Sequence, residues 1–248
     1  MKISVITVSY NSAATIVDTV ESVLGQTHAE VEYLLMDGGS TDATLAKLEP
    51  YRERIDVLVS EPDGGMYAAM NKGIARATGD VVAILNSDDI YADAGVLARV
   101  AACFAESDAD CVYGDLHYVS PDLQRVVRNW VSGAYQAGQF KRGWHPPHPS
   151  FFVKAALYQA HGGFQTELRI AADFEFMLRV LEKEGQRAAY LPEVLVKMRT
   201  GGASNRSLGA IWRANRECYQ AWRVNGYSAP ASALAVLRKP LRKLKQYF

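Results

Sequence analysis

The stretch that decides the fold is Lys2-Ile3-Ser4-Val5-Ile6-Thr7-Val8-Ser9-Tyr10-Asn11. Its first part is rich in β-branched side chains and predicts a strand buried on both faces. The polar run Ser9-Tyr10-Asn11 predicts an abrupt end to it. The same pattern recurs three times before residue 90. Residues 31–36 lead into Asp37-Gly38-Gly39-Ser40, and residues 55–59 into Glu61-Pro62-Asp63-Gly64-Gly65. Residues 81–85 lead into Asn86-Ser87-Asp88-Asp89. Helical periodicity fills the gaps. Asn11 or Ser12 caps a helix to Leu24, Ser40, Thr41 or Asp42 a short one, and residues 66–77 form a third. Strands alternating with helices predict an α/β fold with a mostly parallel, helix-flanked sheet.

In such sheets, ligands bind beyond the carboxyl ends of the strands. Four successive strands here end in polar loops that would meet along one edge. Asp, Asn, Ser and Gly are also ordinary turn residues, so each loop alone reads equally as turn chemistry. Together, with several acids among them, they predict a ligand cleft. No G-x-G-x-x-G follows the first strand, and the chain has no G-x-x-x-x-G-K-[ST], H-E-x-x-H or G-x-S-x-G. Dinucleotide-binding, P-loop, zincin and α/β-hydrolase chemistry are therefore disfavoured. Acids can hold a nucleotide diphosphate through a divalent metal, and Asp88 and Asp89 are the candidate ligands.

Beyond residue 90 the pattern predicts a helix over 93–106 and a strand over 110–119. An irregular functional loop over 120–150 contains Trp144, His145 and His148. Helices over 154–160 and 173–183 follow, then two strands over 188–191 and 194–199, and a helical end. Trp144 reads either as an acceptor platform or as a packed aromatic.

The segments Val5-Ile6-Thr7-Val8-Ser9-Tyr10-Asn11, Asp37-Gly38-Gly39-Ser40-Thr41-Asp42, Met70-Asn71-Lys72-Gly73 and Asn86-Ser87-Asp88-Asp89 are similar in order and spacing to the signatures of glycosyltransferase family 2. A second block, Ala171-Ala172-Asp173-Phe174-Glu175-Phe176-Met177-Leu178-Arg179, resembles that family's acceptor-side motif. The resemblance implies a GT-A (Rossmann-like) fold and inverting transfer of a sugar from a nucleotide donor, commonly a UDP-sugar. The acceptor would be a hydroxyl of a surface glycan or lipid-linked sugar, in polysaccharide biosynthesis of the cell envelope. It implies that Thr7, Ser9 and Tyr10 line the base pocket and that Asp37 accepts the base imide N–H. Lys72 would help hold the diphosphate, with Asn11, Gly65, Asn86 and Ser87 further donor-side residues. His148 would lie near the acceptor or diphosphate. Asp88 and Asp89 would bind Mn²⁺ or Mg²⁺, and Asp173 would be the general base. Asn86 stands where the family's D-x-D motif has its first Asp. That departure keeps open a nucleotide- or glycan-binding protein without catalysis.

The 248 residues carry 27 basic and 27 acidic side chains. After Met198 there are ten basic residues and one acid, Glu217, so the last 50 residues carry +9 and the first 198 carry −9. This divides the chain into a glycosyltransferase domain over 1–200 and a basic helical extension over 201–248. The domain splits again into a donor half, 1–91, and an acceptor half, 92–200. In the extension Leu237, Leu241, Leu244 and Phe248 recur at helical spacing beside cations. That pattern suits either peripheral contact with an anionic membrane or packing on the domain or in a homodimer. No basic track suits nucleic acid. Three unpaired cysteines and the lack of a signal-like segment predict a cytoplasmic protein.

Overall fold

The computed structural model describes residues 1–201 and 208–244. Nine strands form one sheet: β1 (Ile3–Ser9), β2 (Val31–Asp37), β3 (Val57–Ser60), β4 (Val81–Ile84), β5 (Asp89–Tyr91), β6 (Cys111–Val119), β7 (Val126–Trp130), β8 (Phe151–Lys154) and β9 (Ala188–Arg199). The order is β3-β2-β1-β4-β8-β6-β9-β5, with β7 on β6. The first four strands are parallel, so their carboxyl ends share one edge. Beyond β4 the sheet turns antiparallel through β8. Strands β6 and β9 are parallel.

Both faces of the sheet are covered. On one side Ile3 and Val5 of β1 pack with Ile16, Val20 and Val23 of α1 (Ile16–Leu24). Leu48 of α2 (Thr44–Leu48) belongs to the same cluster, as do Val96, Val100 and Phe104 of the helix Val96–Glu106, here α4. On the other side Ile6 and Val8 pack with Tyr67 and Met70 of α3 (Met66–Ile74) and Leu157 of α5 (Ala155–His161). Phe174 and Met177 of α6 (Ala172–Met177) join them. A π-helical turn, Leu178–Lys183, extends α6. The alternation Ile3, Val5 against Ile6, Val8 is the strand period sorting side chains to opposite layers.

Two further helices, α7 (Leu208–Val224) and α8 (Ala229–Leu244), follow. Cys218, Ala221 and Trp222 of α7 and Ala235 of α8 lie in the same buried cluster as α6. The extension is thus built onto the domain. Leu234 and Leu237 remain exposed on α8 and Trp212 on α7. Arg206, Lys245 and Phe248 lie outside the described residues.

Three expectations change. The irregular loop over 120–150 contains β7, and β8, a strand not expected, follows it directly and reverses the sheet. The two strands expected over 188–199 are one, with Leu191 and Val194 paired to adjacent residues of β6. Pro192 has no N–H to donate, so it sits in the resulting bulge. Helix α1 starts at Ile16, without a side-chain cap. Ser12, Thr15 and Thr19 instead bind the loop after β4.

Candidate active site

That loop is held from behind. The Ser12 hydroxyl pairs with the Ser87 hydroxyl at 2.7 Å, and Thr15 donates to the Ser87 carbonyl at 2.8 Å. Thr19 donates to the Asp89 carbonyl at 2.7 Å. From β9, Arg199 donates to the Asp88 carbonyl at 2.8 Å and also bonds Asp18. The backbone of 87–89 is therefore tied to α1 and β9. The side chains are less well provided for. Asp89 is buried, its Oδ2 receives the Asn86 amide at a long 3.4 Å, and its Oδ1 has no hydrogen-bond partner. Asn86 Oδ1 is likewise buried and unpartnered. Burial, reinforced by neighbouring Asp88, pushes the Asp89 carboxyl up to about 8.

Across from this loop His148 joins two of the predicted residues. Its Nε2 lies 3.3 Å from the Asn86 amide nitrogen, and its Nδ1 lies 3.0 Å from Asp173 Oδ2. Burial opposes charge on this ring, but the Asp173 carboxylate outweighs it and raises the His148 pKa, favouring a protonated ring whose Nδ1–H points at Asp173. Asp173 is the second residue of α6. Its Oδ1 lies 3.0 Å from the Tyr67 hydroxyl, which is also 3.0 Å from the Ile170 carbonyl. Burial works against the Asp173 charge, but His148 and the Phe174 and Tyr67 hydrogen bonds outweigh it and hold the carboxyl below its usual range. The carboxylate keeps 19% of its side-chain surface open and His148 keeps 26%. Both are reachable from the cleft.

The neighbouring loops divide by exposure. Tyr10 is 64% exposed and presents its ring at the end of β1. Thr7 and Ser9, expected beside it, face inward. Thr7 is fully buried and accepts the Tyr33 hydroxyl, and Ser9 donates to Asp37. Asp37 is 2% exposed, and five donors converge on it: the Ser9, Ser40 and Ser60 hydroxyls and the Gly39 and Ser40 N–H groups. It has no free face for a base imide; its carboxylate organises the loop. Asn11 bridges the same loops, with its backbone at positive φ and its Oδ1 accepting the Thr41 N–H at 2.9 Å.

Asp63 was passed over in the sequence because it looks like turn chemistry. Its Oδ2 comes within 3.4 Å of where a side chain at Gly38 would begin, at a point also beside the Tyr10 ring. Gly65 precedes α3 at φ 115°, a conformation that demands glycine, and its N–H donates to Asp63 Oδ1. Lys72 lies near the far end of α3, about 9 Å along the helix from Met66, and pairs at 2.9 Å with Glu61, whose N–H donates to the Asp37 carbonyl at the end of β2. Trp144 is a packed aromatic, 3% exposed and donating to the Ser132 carbonyl. His145 contacts the rings of Trp130 and Phe174 edge-on.

The unpartnered, buried oxygens of Asn86 and Asp89, with half-buried Asp88 beside them, are hard donors of the type that Mg²⁺ or Mn²⁺ prefers. Among the described residues no cluster of three or more His, Cys, Asp or Glu could enclose a metal unaided.

The family model for glycosyl transferase family 2 matches residues 4–161, a span that holds every strand from β1 to β8 and the β4 loop. This chain belongs to glycosyltransferase family 2. A PGL/p-HBAD biosynthesis glycosyltransferase of Mycobacterium tuberculosis is 32% identical over 209 residues, 82% of this chain and 78% of that one. An uncharacterized glycosyltransferase of the same species is 33% identical over 186 residues, 71% of this chain and 68% of the other. Among solved structures, S. aureus TarS residues 1–349 in complex with UDP-GlcNAc superposes with a TM-score of 0.72 at 20% identity. That match covers 99% of this chain and 73% of the 1–349 chain. The mannosyltransferase PcManGT from Pyrobaculum calidifontis, in complex with GDP-Man and Mn²⁺, superposes at 0.66 and 21% identity, over 96% and 68%. These likenesses establish the GT-A architecture of this family 2 glycosyltransferase.

Two residues of the site escaped the sequence. Tyr67 reaches Asp173 across 106 positions, and nothing local marks it. Glu217 accepts the Ile170 and Ala171 N–H groups, at 2.6 and 3.0 Å. Its one signal was to be the sole acid in a basic extension.

Proposed function

We propose that this glycosyltransferase moves a sugar from a UDP-linked donor to a hydroxyl of a glycan or lipid-linked acceptor, with inversion at the anomeric carbon. The observation that carries the reading is the side-chain chain Asn86–His148–Asp173. It sets a charged, reachable carboxylate two side chains away from the unpartnered oxygens at the end of β4. The order of events follows from these positions. Tyr10 and Asp63 flank the base beyond β1 and β2. The diphosphate lies over Asn86, Asp88 and Asp89. A bound Mn²⁺ or Mg²⁺ would offset the charge that develops on the leaving diphosphate. Asp173 takes the proton from the acceptor hydroxyl as that oxygen attacks. His148 and Tyr67 fix its two oxygens and keep it ionised until then.

The nucleotide sugars held by TarS and PcManGT support the donor class. The test is Asp173→Asn, assayed as UDP release from a panel of UDP-sugars in Mn²⁺ with alkyl glycosides as acceptors. Turnover should fall by roughly 10²- to 10⁴-fold in a protein that still melts and binds UDP normally. Normal turnover would remove Asp173 as the base. Turnover in the wild-type protein discards the reading of a binding protein without catalysis.

For the acceptor side, we propose peripheral contact with an anionic membrane through α7 and α8. Exposed Leu234, Leu237 and Trp212 lie among exposed Arg213, Arg216, Arg223 and Arg238. No helix among the described residues is long and apolar enough to cross a membrane. Co-sedimentation with phosphatidylglycerol vesicles, lost in Leu234→Glu/Leu237→Glu, is expected; wild-type protein left in the supernatant would refute the contact.

A further inference from the structure

Helix α6 opens on Ala171-Ala172, and its N-cap makes no side-chain hydrogen bond. Yet its second residue is Asp173, whose carboxylate must be held to a fraction of an ångström for proton transfer. The two N–H groups at the entry to the helix, those of Ile170 and Ala171, both go to a single oxygen, Oε2 of Glu217 on α7. The Ile170 carbonyl in turn faces the Tyr67 hydroxyl that touches Asp173. One carboxylate from the basic extension thus fixes the backbone just before the candidate base.

Other contacts bind the same two elements. Asn225, just past α7, donates to Glu175 Oε1 at 2.9 Å, and Glu175 forms a buried ion pair with Arg179. The Lys239 ammonium of α8 lies 4.2 Å from the centre of the Phe174 ring. These hold α6 down, but neither contacts the segment immediately before Asp173. Glu217 does.

We infer that Glu217 is a positioning residue for transfer, capping from α7 the N–H groups of Ile170 and Ala171 on the backbone that leads into α6 and thereby setting the aim of Asp173. The inference rests on the assignment of Asp173 as base. It makes a specific chemical demand. Both N–H groups share one acceptor oxygen, so a neutral amide oxygen at the same place would serve, whereas a methyl group would not. Loss of the cap should misplace the base without touching the donor loops.

The experiment compares Glu217→Ala, Glu217→Gln and Asp173→Asn, by UDP release from a UDP-sugar panel in Mn²⁺ with alkyl glycosides as acceptors. Glu217→Ala should lower kcat by roughly 10- to 100-fold while the donor KM stays within about twofold. Glu217→Gln should recover kcat to within about threefold of wild type. If Asp173→Asn is inactive but Glu217→Ala turns over like wild type, the positioning role falls and the base assignment stands. If Asp173→Asn keeps its rate, the base assignment falls, and this inference with it. Should Glu217→Ala fail to fold, Glu217→Asp, which withdraws the oxygen by one methylene, decides: a folded protein with kcat lowered about tenfold at unchanged donor KM supports the positioning role, and a folded protein with wild-type kcat overturns it.

Discussion

Asp37, the last residue of β2, and Asp89, which opens β5 after the β4 loop, are both buried carboxylates at or just past the ends of the strands that flank β1, yet they are opposites. Asp37 collects five hydrogen bonds, and these outweigh the burial that would otherwise raise its pKa, holding it below the usual carboxylate range. Asp89 has one long contact from Asn86 and an unpartnered oxygen, and burial drives its carboxyl up to about 8. The difference teaches how one sheet edge divides its labour. The loop after β2 is finished by the chain itself, and the loop after β4 leaves an amide oxygen of Asn86 and a carboxylate oxygen of Asp89 without a hydrogen-bond partner. A buried polar atom without a partner costs roughly 1–3 kcal/mol, so the β4 loop holds an unmet demand that a ligand would satisfy. The backbone of that loop is tightly bound, which makes the gap a property of its side chains alone.

The comparison breaks most visibly at Asp37. Asp37→Asn puts an amide donor among five donors and should lower unfolding free energy by about 3 kcal/mol, read as a shifted urea midpoint. The pH dependence follows from the sign. The folded pKa is depressed below the unfolded value near 3.9, so the stabilisation is full above that value. It is lost as pH falls through the folded pKa. The variant should lose that acid limb; an unchanged midpoint and limb would mean that Asp37 is not the keystone of its loop. A smaller effect is expected at Ser60→Ala. It removes one of five donors and should cost about 1 kcal/mol with UDP affinity intact. A weakened UDP affinity there would blur the division between the two loops.

Much of this was legible beforehand, for local reasons. The four parallel strands are short apolar runs closed by polar turns, and Asn86, Asp88, Asp89, His148 and Asp173 belong to ordered motifs that survive in one dimension. What was missed depends on distant packing. Strand β8 is four residues after a proline-rich loop and is a strand only because β4 and β6 lie on either side. Thr7 and Asp37 looked like ligand groups because sequence cannot show that Tyr33 and the serines consume them first. Tyr67 and Glu217 carry no motif, and each reaches the base region from a helix remote in sequence. Ser12 reads as a helix cap, yet its hydroxyl braces the β4 loop.

The most direct measurement of the division is Asp89→Asn, followed by thermal melting without ligand and by calorimetric titration of UDP in Mn²⁺. The account predicts a melting temperature within a few degrees of wild type, because little native bonding is lost, and a UDP affinity weakened at least tenfold. A protein that melts far lower while binding UDP unchanged would contradict it: Asp89 would then be a structural carboxylate like Asp37, and the open end of β4 would not be where the donor binds.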